Sequence, residues 1–332
     1  MLSRRCILEV ARLLPVEDVL HNVVQVSSLW CEVGSSEELW RLFLPASESA
    51  SEAVLRLTAK DRYRQIRQKK QRLIVLGREV VCVFDCANET WTEEVPLSRE
   101  TNVNEWSAFA FLEDGAILAC GGDRGAPGDP KAFCSNRAFL VRVEGATRLK
   151  DMTCSRERHG LIVFQATAYV FGGRSGDDQP LRSCESLSLG SLTTVAERDW
   201  NRLPDMFAPR FAFNPCEDGK LIYLCGGVTN AAETFYPATQ TFAPLSFKLP
   251  DEAFSHCAVL IQGELIILSR QYLSRWNLRR KKMDCVRHRG LRGNVSGYMN
   301  SVCIQGVIYR PSIGAILKFS LASLTESVLD AR

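Results

Sequence analysis

Leu221-Ile222-Tyr223-Leu224-Cys225-Gly226-Gly227 is a strand-length apolar run that stops at a glycine pair, and the chain does this three times. Ala116-Ile117-Leu118-Ala119-Cys120 runs into Gly121-Gly122, and Ala168-Tyr169-Val170-Phe171 into Gly172-Gly173. The first glycines of the pairs lie 51 and 54 residues apart, a period that marks a repeat protein. Weaker copies extend the series: Leu73-Ile74-Val75-Leu76-Gly77 upstream, then Leu265-Ile266-Ile267-Leu268-Ser269 and Gly306-Val307-Ile308-Tyr309-Arg310 downstream. Six copies tile residues 71–332.

The copy around Gly172 shows the unit. Gly160-Leu161-Ile162-Val163-Phe164 and Ala168-Tyr169-Val170-Phe171 are two apolar strands, and the glycine pair lets the chain leave the second beside a crowded axis. Cys184-Glu185-Ser186-Leu187-Ser188-Leu189 then alternates with the period of a strand buried on one face. A fourth segment ends in Trp200, and large late residues recur as Trp91, Phe242 and Met283. Small four-stranded sheets at this period pack radially into a propeller, which closes with 4 to 8 blades. The expected fold is mainly β, a six-bladed propeller.

Hydrophobic strand, glycine pair, middle strand and late aromatic together resemble the kelch repeat over about 260 residues. Two departures bear on closure. The fifth and sixth copies lack the glycine pair, and the first lacks an innermost strand. Either a C-terminal segment near 324–329 completes the first blade, or the ring closes with one three-stranded blade.

The first 45 residues do not share the repeat. Ile7, Val10, Ala11 and Leu14 make one apolar helical face that Pro15 ends. Glu17 and Asp18 suit the start of a second helix carrying Val19, Leu20, Val23 and Val24, and a third contains Trp30, Leu39 and Trp40. A unit this small buries little surface alone. Its order of Leu14-Pro15, Val19-Leu20, Val26, Trp30 and Trp40 resembles the F-box. That resemblance implies a three-helix F-box-like domain over 1–45 that docks these residues on a Skp-type adaptor, itself bound to a cullin. The chain is accordingly read as the substrate-recognition subunit of an SCF-type ubiquitin ligase, with a cytoskeletal or nuclear kelch scaffold lacking that link as the alternative. Packing of the same helices on the propeller as plain core is the other reading. Residues 46–70 read as a helical linker and 71–332 as the propeller.

Composition narrows the function classes. With 41 basic and 38 acidic residues the net charge is +3, which argues against a nucleic-acid binder. No apolar run approaches the ~18 residues of a membrane span, and the N-terminus lacks the long apolar core of a signal peptide. Thirteen scattered cysteines read as small buried hydrophobes of a reducing compartment, so a cytoplasmic or nuclear site is expected. Four histidines offer no metal set, no phosphate loop follows the glycine pairs, and carboxylates such as Asp177-Asp178 read as turn formers. The chain is therefore read as non-catalytic, without metal or cofactor.

In kelch propellers, ligands lie across the loops leading into the innermost strands and those following the second strands. Carried onto this chain, the resemblance implies a face containing Ser107, Arg158, His159, Arg210, Ser255, His256 and Asn300. Arg158 and Arg210 stand as counterparts if the fourth copy has a two-residue extension at Glu217-Asp218. Such a face suits an acidic or phosphorylated segment of a protein substrate. The competing reading is local, with the arginines bonding carbonyls or carboxylates of the blades themselves. Arg279-Arg280-Lys281-Lys282 lies where a hairpin turn belongs and reads as a charged tip guarding a sheet edge.

Overall fold

The computed structural model describes residues 72–76, 80–86, 88–96, 106–112, 116–122, 134–142, 145–190, 195–250, 257–261, 263–288, 301–304, 306–312 and 315–329. They lie within one compact unit, Gln71–Arg332. The F-box-like positions Leu14, Pro15, Val19, Leu20, Val26, Trp30 and Trp40, the linker, and Ser255, His256 and Asn300 lie outside the described residues.

The unit is mainly β. Six antiparallel sheets follow one another along the chain. The first holds β1 (Arg72–Leu76), β2 (Val80–Asp85) and β3 (Thr90–Pro96). The second holds β4 (Ala108–Phe111), β5 (Ile117–Cys120), β6 (Ala138–Arg142) and β7 (Gly145–Arg148). The third holds β8 (Gly160–Phe164), β9 (Thr167–Phe171), β10 (Cys184–Ser188) and β11 (Asn201–Leu203). The fourth runs β12 (Cys216–Glu217), β13 (Ile222–Cys225), β14 (Ala231–Tyr236), β15 (Thr241–Lys248). The fifth runs β16 (Cys257–Ile261), β17 (Glu264–Leu268), β18 (Tyr272–Asn277), β19 (Lys282–Arg287). The sixth is β20 (Val302–Ile304), β21 (Val307–Ser312), β22 (Ala315–Ser320) and β23 (Thr325–Leu329). Helical content among the described residues is one 3-10 turn, Val195–Glu197.

Each sheet packs on the next through its own apolar cluster. Val83 meets Phe109, Ile117 and Phe139 between the first and second sheets. Leu118, Leu140, Leu161, Val170 and Trp200 join the second to the third, where the Trp200 indole also donates to Lys150 O at 3.0 Å. Phe171, Leu224 and Phe235 join the third to the fourth, and Tyr223, Phe247, Leu265 and Trp276 the fourth to the fifth. Leu268, Leu273, Ile308 and Phe319 join the fifth to the sixth. Phe84 then packs with Tyr309 and Ile316, so the sixth sheet meets the first. Each fully buried aromatic or branched side chain in these layers contributes roughly 1.5–3 kcal/mol. The cyclic order is consistent with a six-bladed propeller, and the sheets are called blades below.

Of the two readings of closure, the described residues agree with the three-stranded one: Thr325–Leu329 pairs with β22 as the fourth strand of blade six, and blade one has three strands among the described residues. One expectation about a strand is corrected. Cys184 to Leu187 is buried at every position because a blade is covered on both faces, so the one-faced burial expected from its alternation is not found.

Candidate binding face

The glycine pairs organise one face of blades two to four. Both glycines of each pair are left-handed, at φ 66° and 98° for Gly121-Gly122 and 59° and 105° for Gly172-Gly173. A side chain at Gly172 would collide with Arg210 O, and one at Gly121 with Arg156 O. Space is lacking because the segment leading into the next blade crosses directly over the pair. Gly122 N donates to Arg156 O and Gly173 N to Arg210 O, both at 2.9 Å. The lead-ins of blades three and four thus close the blades before them.

The same arginines hold their own blades together from inside. Arg156 donates through Nη1 to Gly172 O (2.5 Å) and Ser183 O (2.9 Å), and through Nη2 to Glu185 (2.7 Å). Arg210 donates to Gly226 O (2.7 Å), Ala231 O (3.2 Å) and Glu233 (2.5 Å). Both are fully buried, as are their carboxylates. Glu185 also accepts from Thr153 N and Cys154 N, and Glu233 from Phe207 N, so each carboxylate ties down the loop ahead of its arginine. Burying such a pair requires this degree of hydrogen bonding, because either charge alone would carry a large desolvation penalty.

This geometry corrects the register expected from sequence. Arg210 corresponds to Arg156, each 16 residues before the first glycine, and no two-residue extension separates the copies. Arg210 lies in the interior with its guanidinium engaged by its own blade. The spacing of 16, with an acidic residue in the third strand of each copy, was the sequence signal for this pair.

Ser107 and His159 are also interior. Ser107 Oγ donates to Gly121 O at 3.0 Å. The His159 ring packs against Gly121, with Nε2 3.3 Å from Cys120 Sγ. Burial, reinforced by the Arg156 charge, holds the imidazole well below its ordinary pKa of 6.5. Burial likewise pushes the Cys120 thiol up to about 12. A neutral imidazole beside a protonated thiol, both sealed from solvent, is a packing pair rather than a nucleophile and base.

Arg158 reaches the surface. It adopts φ 52°, and Ala212, at the same point of blade four, adopts 62°. These left-handed residues link three lead-ins side by side: Arg158 N donates to Trp106 O (3.0 Å), and Ala212 N to Arg158 O (2.7 Å). The Arg158 guanidinium lies 3.8 Å from the centroid of the Trp106 ring, with Nε 3.5 Å from Glu157 Oε1. On the other side of Glu157 stands Arg174, donating from Nε to the same oxygen at 2.7 Å, pairing with Asp178, and lying over Phe211. Arg158 and Arg174 are 20% and 26% exposed against 3% for Glu157, so two partly open cations flank one covered carboxylate. The lead-in of blade four adds Phe207, 58% exposed beside the fully buried Met206, whose backbone bonds with Arg182 in both directions.

Of the face expected from sequence, Arg158 is placed where a partner could touch it, whereas Ser107, His159 and Arg210 form the framework beneath. Trp106, Glu157, Arg174 and Phe207 were not anticipated. The approach of Arg174 to Glu157 rests on pairing between segments that no local pattern shows.

No family model matches the chain. It is similar to beta-scruin of Limulus polyphemus, 30% identical over 146 residues, which is 38% of this chain and 15% of that protein. It is also similar to alpha-scruin of the same organism, 33% identical over 84 residues, 25% of this chain and 8% of that protein. The matched stretches thus span less than a sixth of either relative. These likenesses support a kelch-repeat family.

Proposed function

We propose that this chain is a non-catalytic kelch-type scaffold that binds a protein partner, cytoskeletal or nuclear, across the lead-in face of blades two to four. The observation that carries this reading is the row Trp106, Arg158, Glu157 and Arg174. Arg158, fixed by a left-handed backbone and an indole stack, shares the covered carboxylate of Glu157 with Arg174, which also pairs with Asp178, and both arginine side chains are partly exposed. An acidic or phosphorylated segment would be held there by charge-assisted hydrogen bonds, with Phe207 as a nearby apolar contact. Rigid placement lowers the ordering cost of binding.

A second reading adds a ubiquitin-ligase link. It rests on the F-box-like order of Leu14, Pro15, Val19, Leu20, Val26, Trp30 and Trp40, which would place the chain in an SCF-type complex as substrate receptor, holding a target near the transfer site.

Affinity capture with the tagged full chain, analysed by mass spectrometry, tests both. The scaffold reading expects protein partners that are lost with Arg158→Ala/Arg174→Ala, and no cullin. Capture unchanged by the double variant overturns the face, and recovery of a Skp-type adaptor with a cullin moves the conclusion to the ligase.

A further inference from the structure

The outer edge of blade five differs from the other blade edges. β19, Lys282-Met283-Asp284-Cys285-Val286-Arg287, pairs with β18 over six consecutive positions and ends its sheet. Among the described residues nothing pairs with its far side. The remaining outermost strands are each interrupted, short or oppositely charged. β3 ends in Pro96 and follows a register shift in its pairing, β15 contains Pro244 and a bulge, β7 and β11 have only four and three residues, and β23 carries a glutamate, Glu326, in its sequence. Proline and bulges block the addition of a further strand, so β19 is the longest clear edge.

That edge is also strongly basic. From 270 to 287 the sequence holds seven arginines and lysines against one carboxylate, Asp284, which is paired to Lys282 at 3.2 Å. Arg279, Arg280, Lys281 and Lys282 are all exposed at the hairpin tip. Their turn is firm, since Asn277 Oδ1 accepts from Arg279 N and Arg280 N, and Lys281 closes the loop at φ 53° with its N–H on Asn277 O. Val286, 46% exposed, supplies an apolar position along the strand. At the far end a cavity of roughly 390 Å³ between blades five and six is lined by Arg287, His288, Ser323 and Leu324.

We propose that β19 is a docking strand for an acidic, extended segment of a partner protein, which adds to blade five by main-chain hydrogen bonds and places alternate carboxylates on the basic tip and Arg287. The charge decides the occupant. Two copies of this edge would set cation against cation, so a second copy of the chain is repelled. A strand edge also offers a line of peptide donors and acceptors that matches a peptide and not a sugar–phosphate backbone. The proposal is independent of the lead-in face and involves none of its residues.

Fluorescence anisotropy with the full chain and a short labelled peptide alternating glutamate and valine tests it. Binding is expected to weaken with salt and to fall by about tenfold or more in Arg279→Glu/Arg280→Glu, whose exposed sites leave the thermal midpoint unchanged. Replacing the valines of the peptide by proline, which removes every second main-chain donor and disrupts regular strand pairing, is expected to weaken binding strongly, and Arg158→Ala/Arg174→Ala to leave it intact. Absence of binding, equal binding of the proline peptide, stronger binding of a DNA duplex of the same charge, or loss of binding only in Arg158→Ala/Arg174→Ala overturns the proposal.

Discussion

His159 shows how a residue type associated with chemistry serves packing. Its ring fills the space over Gly121 and is held uncharged by burial and by Arg156. Between the ordinary imidazole pKa and the depressed native one, the unfolded chain binds a proton that the folded chain refuses. Stability therefore falls as pH falls through that window, by at most about 1.4 kcal/mol per pH unit. Thermal unfolding from about pH 7 to about pH 5 should show this slope, and His159→Gln should flatten it. An unchanged slope in the variant would place the proton uptake elsewhere. The sequence reading places His159 on the binding face beside Arg158. The left-handed turn at Arg158 sends its side chain outward while Glu157 and His159 on either side are buried, and no local pattern shows that turn.

At the scale of the element, strands were legible and their lead-ins were not. Apolar runs ending in glycine located β5, β9 and β13, and the basic run at 279–282 falls in the β18–β19 hairpin as its spacing predicts. The three-residue β11 and two-residue β12 carry almost no periodic signal, and the arginine register depended on which of two nearby arginines turns inward. Arg156 and Arg210 settle that register by contact with Gly172 O and Gly226 O. Arg210→Ala would leave Glu233 charged and buried without its cation, and a loss of about 3–5 kcal/mol is expected in urea unfolding. Arg158→Ala, at a partly open site, should cost under about 1 kcal/mol while affecting partner capture. Similar losses for the two variants would remove the distinction between framework and face.

Across the whole unit, closure falls on the three-stranded blade. Glu89, in the β2–β3 turn, accepts from Tyr309 Oη at 2.7 Å and Lys318 Nζ at 2.5 Å, joining the first blade to the last alongside Phe84 and Ile316. Those two donors hold the Glu89 carboxyl below its ordinary pKa. The stabilisation is accordingly present above the unfolded carboxylate pKa and lost as pH falls through the native one. With a side chain 40% exposed, the contribution is below about 1 kcal/mol. Glu89→Gln should lower the thermal midpoint at neutral pH, with the difference from the parent chain vanishing in acid. A deficit that persists at low pH would assign it to packing rather than charge. The sequence indicated six blades but not this closure, because the residues involved lie more than 200 positions apart.

The crossing of the lead-ins of blades three and four over the glycine pairs before them gives this part of the ring a direction. Blade two is finished by Arg156 of blade three, and blade three by Arg210 of blade four. On a ribosome, a newly made blade would wait with its glycine amides uncovered until the next lead-in had emerged, so release of the chain midway would leave its most recent blade open at the very edge where the next should begin.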